Sequence, residues 1–140
     1  MAYWLMKSEP DVFSFTDLQN KEKEEWHSVR NYTARNNMMQ MKVGEKAFFY
    51  HSNIGKEIVG IMKVVALAHP DSTAEPNDKG KIVWQCVDVV ADKPFKQPVT
   101  LVQIKQDPAL QEMALLKYSR LSVQPVTDAE WKHICRLGGV

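Results

Sequence analysis

The sequence predicts an α+β fold in one domain over residues 1–140: a mostly antiparallel, barrel-like sheet with helices packed outside it. Three observations predict it. Strand-forming segments outnumber helical ones and are spread along the chain. Few helices fall where a parallel crossover would need one. No internal repeat, low-complexity segment or linker divides the chain.

Tyr3 to Lys7 reads as a first short strand, aromatic and apolar before a polar exit. Ser14-x-x-Asp17 resembles a capping box, with Phe13 placed to staple onto Leu18, so a short helix follows. The charge run Lys21–Glu25 reads as a solvated loop. Arg30–Gln40 reads as a helix with Asn31 as N-cap and Gly44 beyond its end. Its buried stripe is Ala34, Met38 and Met41, at i, i+4 and i+7. Glu45–His51 and Glu57–Ala68 read as a hairpin, and Pro70–Gly80 as a loop. Ile82–Val90 reads as a central strand, after which Pro94 and Pro98 punctuate a turn. Val99–Ile104 fits strand or helix equally. Pro108–Leu116 reads as short helical turns and Arg120–Pro125 as a last short strand. Thr127-Asp128-Ala129-Glu130 is a capping box with Val126 stapled to Trp131; it starts a C-terminal helix striped by Trp131, Ile134 and Cys135 and ended by Gly138-Gly139.

An apolar share of 44% and a charged share of 25% are globular values, so a core forms without disulfides or metal. Cys86 and Cys135, far apart in apolar stretches, read as buried free thiols, which points to a reducing compartment and a cytoplasmic location. No stretch approaches the roughly 18 apolar residues of a membrane span. The start lacks a basic n-region and soon meets Glu9 and Pro10, so no signal peptide is expected. A net charge of +1 gives no global pull toward polyanions, so any nucleic-acid contact must come from a local patch.

No cofactor and no metal are expected. The four histidines are scattered along the chain, and neither thiol has a second ligand at zinc spacing. No phosphate-cradling glycine motif and no G-x-S-x-G elbow is present. An enzyme would need a site assembled only by folding.

Three patches carry hydrogen-bonding chemistry. Lys7-Ser8-Glu9-Pro10 is either a polar strand exit or the rim of a pocket. Trp26–Gly44 is a run of 19 residues without a carboxylate. Within it Trp26 is either core or a stacking wall, and Arg30 and Arg35 have no acid at i±3 or i±4, so their partners lie elsewhere. Asn31 at a helix N-terminus leaves backbone N–H groups that favour an anion. Tyr50-His51-Ser52-Asn53 is either a turn start or a pocket mouth.

Together the patches resemble a known family. Tyr3-Trp4-Leu5-Met6-Lys7-Ser8-Glu9-Pro10, Val29-Arg30-Asn31-Tyr32-x-Ala34-Arg35-Asn36 and Phe48-Phe49-Tyr50-His51-Ser52-Asn53 look like an EVE domain. So do Val59-Gly60-Ile61, Pro70-Asp71-x-Thr73-Ala74, the Trp84 strand and Arg120-Leu121-Ser122-Val123-x-Pro125-Val126, in order from Tyr3 to about Trp131. The resemblance implies a PUA-like β-barrel flanked by helices and related to YTH domains. It implies a non-catalytic reader that takes a flipped modified base, such as a modified cytosine, from DNA or RNA. The alternative is an enzyme acting on a modified nucleobase or nucleotide, with His51 or Glu9 as acid or base. By position, Trp26 would be the stacking wall, and Lys7, Ser8 and Glu9 would contact the base edge or phosphate. Val29, Arg30, Asn31 and Tyr32 would line the opposite side, and His51, Ser52 and Asn53 would close the pocket. Arg35 and Arg120 would hold phosphate. No metal and no membrane are implied as partners. Thr33 and Met38-Met39 depart from the family pattern, where Gln and Leu-Arg are often found.

Overall fold

The computed structural model describes all 140 residues. Six strands form one sheet: β1 (Tyr3–Ser8), β2 (Glu24–Glu25), β3 (Lys46–His51), β4 (Glu57–Pro70), β5 (Gln85–Thr100) and β6 (Val123–Val126). Five α-helices accompany it: α1 (Phe15–Gln19), α2 (Tyr32–Gln40), α3 (Leu101–Gln106), α4 (Ala114–Lys117) and α5 (Asp128–Leu137), with a 3-10 turn at Pro108–Leu110. The strand order is β2-β5-β4-β3-β1-β6. Every pairing is antiparallel except β1 with β3, which run parallel with Met6 opposite Phe49 and Ser8 opposite His51.

The expected α+β class and mostly antiparallel pairing hold, but the barrel does not: β2 and β6 remain separate edges. Helix α2 packs against both β5 and β6 on one side of the gap that closure would remove. Both faces of the central strands are covered. Trp4, Met6, Ala47 and Phe49 share one core with Phe15, Leu18, Ala34 and Met38. Leu5, Phe48 and Tyr50 share the other with Ile104, Leu115, Trp131 and Ile134. Double coverage explains why these strands read as unbroken apolar runs rather than alternating ones. In the second core the Trp131 ring stacks between Tyr3, at 4.3 Å, and Phe48, at 3.9 Å.

The local caps form as expected. Ser14 and Asp17 close a reciprocal box on α1, Thr127 and Glu130 another on α5, and Asn31 Oδ1 accepts from the Ala34 N–H at 2.9 Å on α2. Val99–Ile104 divides between the end of β5 and α3, whose box is Thr100 with Gln103. Three expectations are corrected. Glu24–Glu25 is a strand, because it pairs with Asp88 and Val89 of β5 rather than lying in solvent. The central strand starts at Gln85 and runs through Pro94 and Pro98 to Thr100 instead of turning. Proline is tolerated there because β2 pairs only with Asp88 and Val89, so no strand lies beside Pro94 and Pro98 on that side, and Pro94 falls at a register shift opposite Gly60. Cys86 is fully buried, but Cys135 is only half-buried on α5.

Gly60 lies opposite Phe49 on β4. A Cβ there would stand 2.5 Å from the Phe15 ring, which itself packs edge-on against Phe49 at 5.4 Å. The ring has no free side to move into. Gly60→Ala is expected to cost about 1–3 kcal/mol of unfolding free energy by urea titration; a change below about 0.5 kcal/mol would contradict this packing.

Candidate nucleic-acid interface

A cavity of about 500 Å³ opens between the end of β1 and the segment that follows β2. That volume is within the range of small-molecule sites. On one side stand Lys7, Ser8, Val12 and Phe13; on the other, Glu24 through Arg30 without a break; Ser122 completes the wall. The parallel ladder positions the first side. The turn after β1 is fixed by Val12 and Phe13 N–H groups donating to the Glu9 carbonyl at 3.0 and 2.8 Å, and by Ser8 Oγ donating to the Phe13 carbonyl at 2.6 Å. Burial holds the Lys7 ammonium below its usual pKa, and Nζ donates to the Ser119 carbonyl at 2.7 Å.

Trp26 is both core and wall. It is 7% exposed and meets Phe49 edge-on at 5.5 Å, yet it borders the cavity. Its backbone N–H donates to the Val87 carbonyl at 2.8 Å, continuing the β2–β5 ladder. The strand at Glu24–Glu25 is therefore what aims the indole.

Asp71 holds the other side of the mouth, through a role that no local pattern displayed. Its side chain is fully buried. Oδ2 accepts from the Ser28 N–H at 2.7 Å and from Arg30 at 3.1 Å, and Oδ1 accepts from the Thr73 N–H and hydroxyl at 2.7 and 2.6 Å. Burial opposes ionisation, but these donors outweigh it and bring the Asp71 pKa down from 3.8 to about 2. Ser28 has φ +70°, a left-handed conformation uncommon for serine, and the buried carboxylate on its N–H holds it there. Arg30 precedes the α2 N-cap instead of lying within the helix as expected, and Asp71 is the partner it lacks among its sequence neighbours.

Beside this latch runs a cation–aromatic stack that includes Trp84, absent from the expected site. The Tyr32 and Trp84 rings lie 4.8 Å apart, with Arg35 over Tyr32 at 4.9 Å and Arg30 over Trp84 at 5.6 Å. Arg35 also donates to the Val83 carbonyl at 3.0 Å and to Asn36 Oδ1 at 2.8 Å.

Of the expected site residues, Lys7, Ser8, Trp26, Val29 and Arg30 meet at the cavity. Tyr32 and Arg35 stand in the adjoining stack, and Asn31 and Arg120 line a neighbouring cavity. Glu9, His51, Ser52 and Asn53 converge on one another behind the rim. Asn53 Nδ2 donates to Glu9 Oε1 at 2.6 Å, and the Ser52 N–H to the Ser8 carbonyl at 2.9 Å. His51 Nε2 accepts from the Phe15 N–H at 3.2 Å. Glu24, Glu25, His27 and Ser28 join the cavity unannounced, because the reading of Lys21–Glu25 as a loop hid the β2–β5 pairing that places them.

Folding also gathers groups that are scattered in sequence. Glu25, His69 and Cys86 bring ligand-type atoms within 4.8 Å of one another. Both His69 ring nitrogens are engaged, Nε2 with Asp88 at 2.8 Å and Nδ1 with the Pro70 carbonyl at 3.2 Å. The Asp88 hydrogen bond raises the His69 pKa above its usual value, against the opposing effect of burial.

Two measurements test this frame. Asp71→Asn is expected to lower stability by about 1–3 kcal/mol and to speed hydrogen exchange at the Ser28 and Thr73 amides; unchanged exchange would separate Asp71 from the latch. His51 accepts through Nε2 only while neutral, and burial holds its pKa below the ordinary 6.5. Its contribution is complete above 6.5 and is lost as the pH falls through the lower folded-state value. Urea midpoints of the wild type should therefore drop more steeply between about pH 7.5 and 5 than those of His51→Gln, which keeps an acceptor that does not titrate. Parallel profiles would refute the role.

Comparison with known proteins finds relatives that span nearly the whole chain. The EVE domain family model matches residues 2–137. Human thymocyte nuclear protein 1 is 36% identical over 165 aligned positions, covering 97% of this chain and 73% of the relative. A crystal structure of an Agrobacterium tumefaciens protein superposes with TM-score 0.94 at 50% identity, covering 100% of this chain and 94% of the other. Human THYN1 in complex with DNA containing 5-methylcytosine superposes with TM-score 0.89 at 34% identity, covering 100% and 99%. The chain belongs to the EVE domain family.

Proposed function

We propose that this protein is a non-catalytic binder of DNA that receives a flipped modified cytosine, 5-methylcytosine first among candidates, in the cavity bordered by Trp26. The observation that carries the reading is the composition of that cavity. Trp26, Val29 and Phe13 supply apolar wall, Lys7 and Arg30 supply cationic donors, and Glu24 and Glu25 supply acceptors. A flipped base leaves its stack and needs both an aromatic surface and partners for its exposed edge. Cytosine presents an exocyclic amine donor beside two acceptors, a pattern that carboxylates and cations in one cavity can satisfy. The human relative bound to 5-methylcytosine DNA supports the same ligand class.

The remaining residues act around this centre. Arg35, in its stack with Tyr32, meets backbone phosphate near the mouth. Glu9, His51, Ser52 and Asn53 act through the rim they brace. The free thiols suit a reducing compartment inside the cell.

Fluorescence anisotropy with duplexes that differ only in one methyl group tests the reading. The methylated duplex should bind about tenfold tighter, and Trp26→Phe, which keeps the core filled, should shrink that ratio. Equal affinity for both duplexes, unaltered by Trp26→Phe, would overturn it. RNA of the same sequence in the same assay assigns the sugar.

A further inference from the structure

A second cavity, of about 620 Å³, abuts the first and is bordered by Asn31, Thr33, Asn37, Tyr118, Ser119 and Arg120. We propose that it is a nucleotide subsite, which takes the neighbour of the base held beside Trp26 in the same strand. The inference rests on the base-binding reading above.

The two cavities share their partition. Arg30 borders one and Asn31 the other; Ser122 borders one and Leu121 the other. Lys7, from the first, donates Nζ to the carbonyl of Ser119 in the second at 2.7 Å. Adjacent residues therefore face both cavities, so the two share one wall and a strand can pass from one to the other.

Their charge differs in the way a nucleotide chain requires. The first cavity sets two carboxylates against Lys7 and Arg30, whereas the second has the Arg120 guanidinium and no carboxylate. Arg120 pairs with no carboxylate. Phosphate is therefore favoured in the second cavity and a base edge with a donor in the first.

The second cavity is also built in advance. Gln124, fully buried on β6, donates Nε2 to the carbonyls of Tyr118 and Leu121 at 3.1 and 2.8 Å. The Leu121 N–H closes the same turn on the Tyr118 carbonyl at 3.0 Å. This held turn presents Tyr118 at 61% exposure, an aromatic face available for stacking. Asn31 and Asn37 each spend one amide atom on the fold, Oδ1 on the Ala34 N–H and Nδ2 on the Val123 carbonyl. The other amide atom of each remains for a base.

NMR titration of the isotope-labelled protein tests the subsite with 5-methyl-deoxycytidine monophosphate and with dinucleotides carrying 5-methylcytosine at either end. One dinucleotide should bind about five-fold or more tighter than the mononucleotide, with shifts at Ser119–Leu121. Tyr118→Ala alters an exposed side chain and should remove that gain while leaving mononucleotide affinity unchanged. Equal binding of mononucleotide and both dinucleotides overturns the subsite, as does a loss that falls equally on both ligand sizes. If unmethylated dinucleotides show the same Tyr118-dependent gain, the subsite stands and the methyl reading falls.

Discussion

The Phe49 ring is the contact on which the geometry of the first cavity depends. It is fully buried in β3 and touches Phe13, Phe15, Trp26 and His51 at centroid distances of 5.4 to 6.4 Å. Phe13 and Trp26 belong to opposite sides of the cavity, so one ring sets the spacing between them. Opposite Phe49 the chain places Gly60, which lets Phe15 approach the strand backbone closely. Edge-to-face aromatic contacts are directional, so a shift of any one ring is resisted by the others. The cavity is thus a by-product of core packing carried out to the surface.

Electrostatics completes what packing begins. A net charge of +1 cannot draw in a polyanion, and the fold responds by sorting charges locally. Asp71 takes up part of Arg30 and fixes its direction, while Trp84 lies beneath the guanidinium. A flexible surface arginine would lose side-chain entropy on meeting a ligand; one already held by a buried carboxylate and a ring has lost most of it on folding. The same logic applies to Ser28, whose left-handed backbone is held by the same carboxylate.

Much of this was legible in the sequence where the physics is local. The caps at Ser14, Asn31 and Thr127, the buried stripe of Ala34, Met38 and Met41, and the free-thiol state of the cysteines all follow from neighbours a few residues away. The Thr100-x-x-Gln103 box was equally local and would have separated strand from helix at residues 99–104. What stayed hidden is long-range. Asp71 meets Arg30 across 41 positions, and Trp84 meets Tyr32 only because α2 packs on the sheet. Glu24–Glu25 looked like a solvated loop because its strand character comes from its partner, not from its composition. Barrel closure failed as an expectation for the same reason: strand count says nothing about whether two edges meet.

An open sheet carries a hazard that a barrel escapes, since an unpaired edge can recruit a strand from another copy of the chain. Past Val89, β5 has no further strand on its β2 side; Pro94 and Pro98 interrupt this edge, and between them the Lys96 N–H donates to the Gly138 carbonyl at 2.8 Å. Each proline removes a donor that an incoming strand would need, and the run Asp92-Lys93-Pro94-Phe95-Lys96 adds charge to the same stretch. Prolines at such an edge disfavour the addition of a further strand, so the residues that break the strand pattern also blunt the edge that an unclosed sheet leaves.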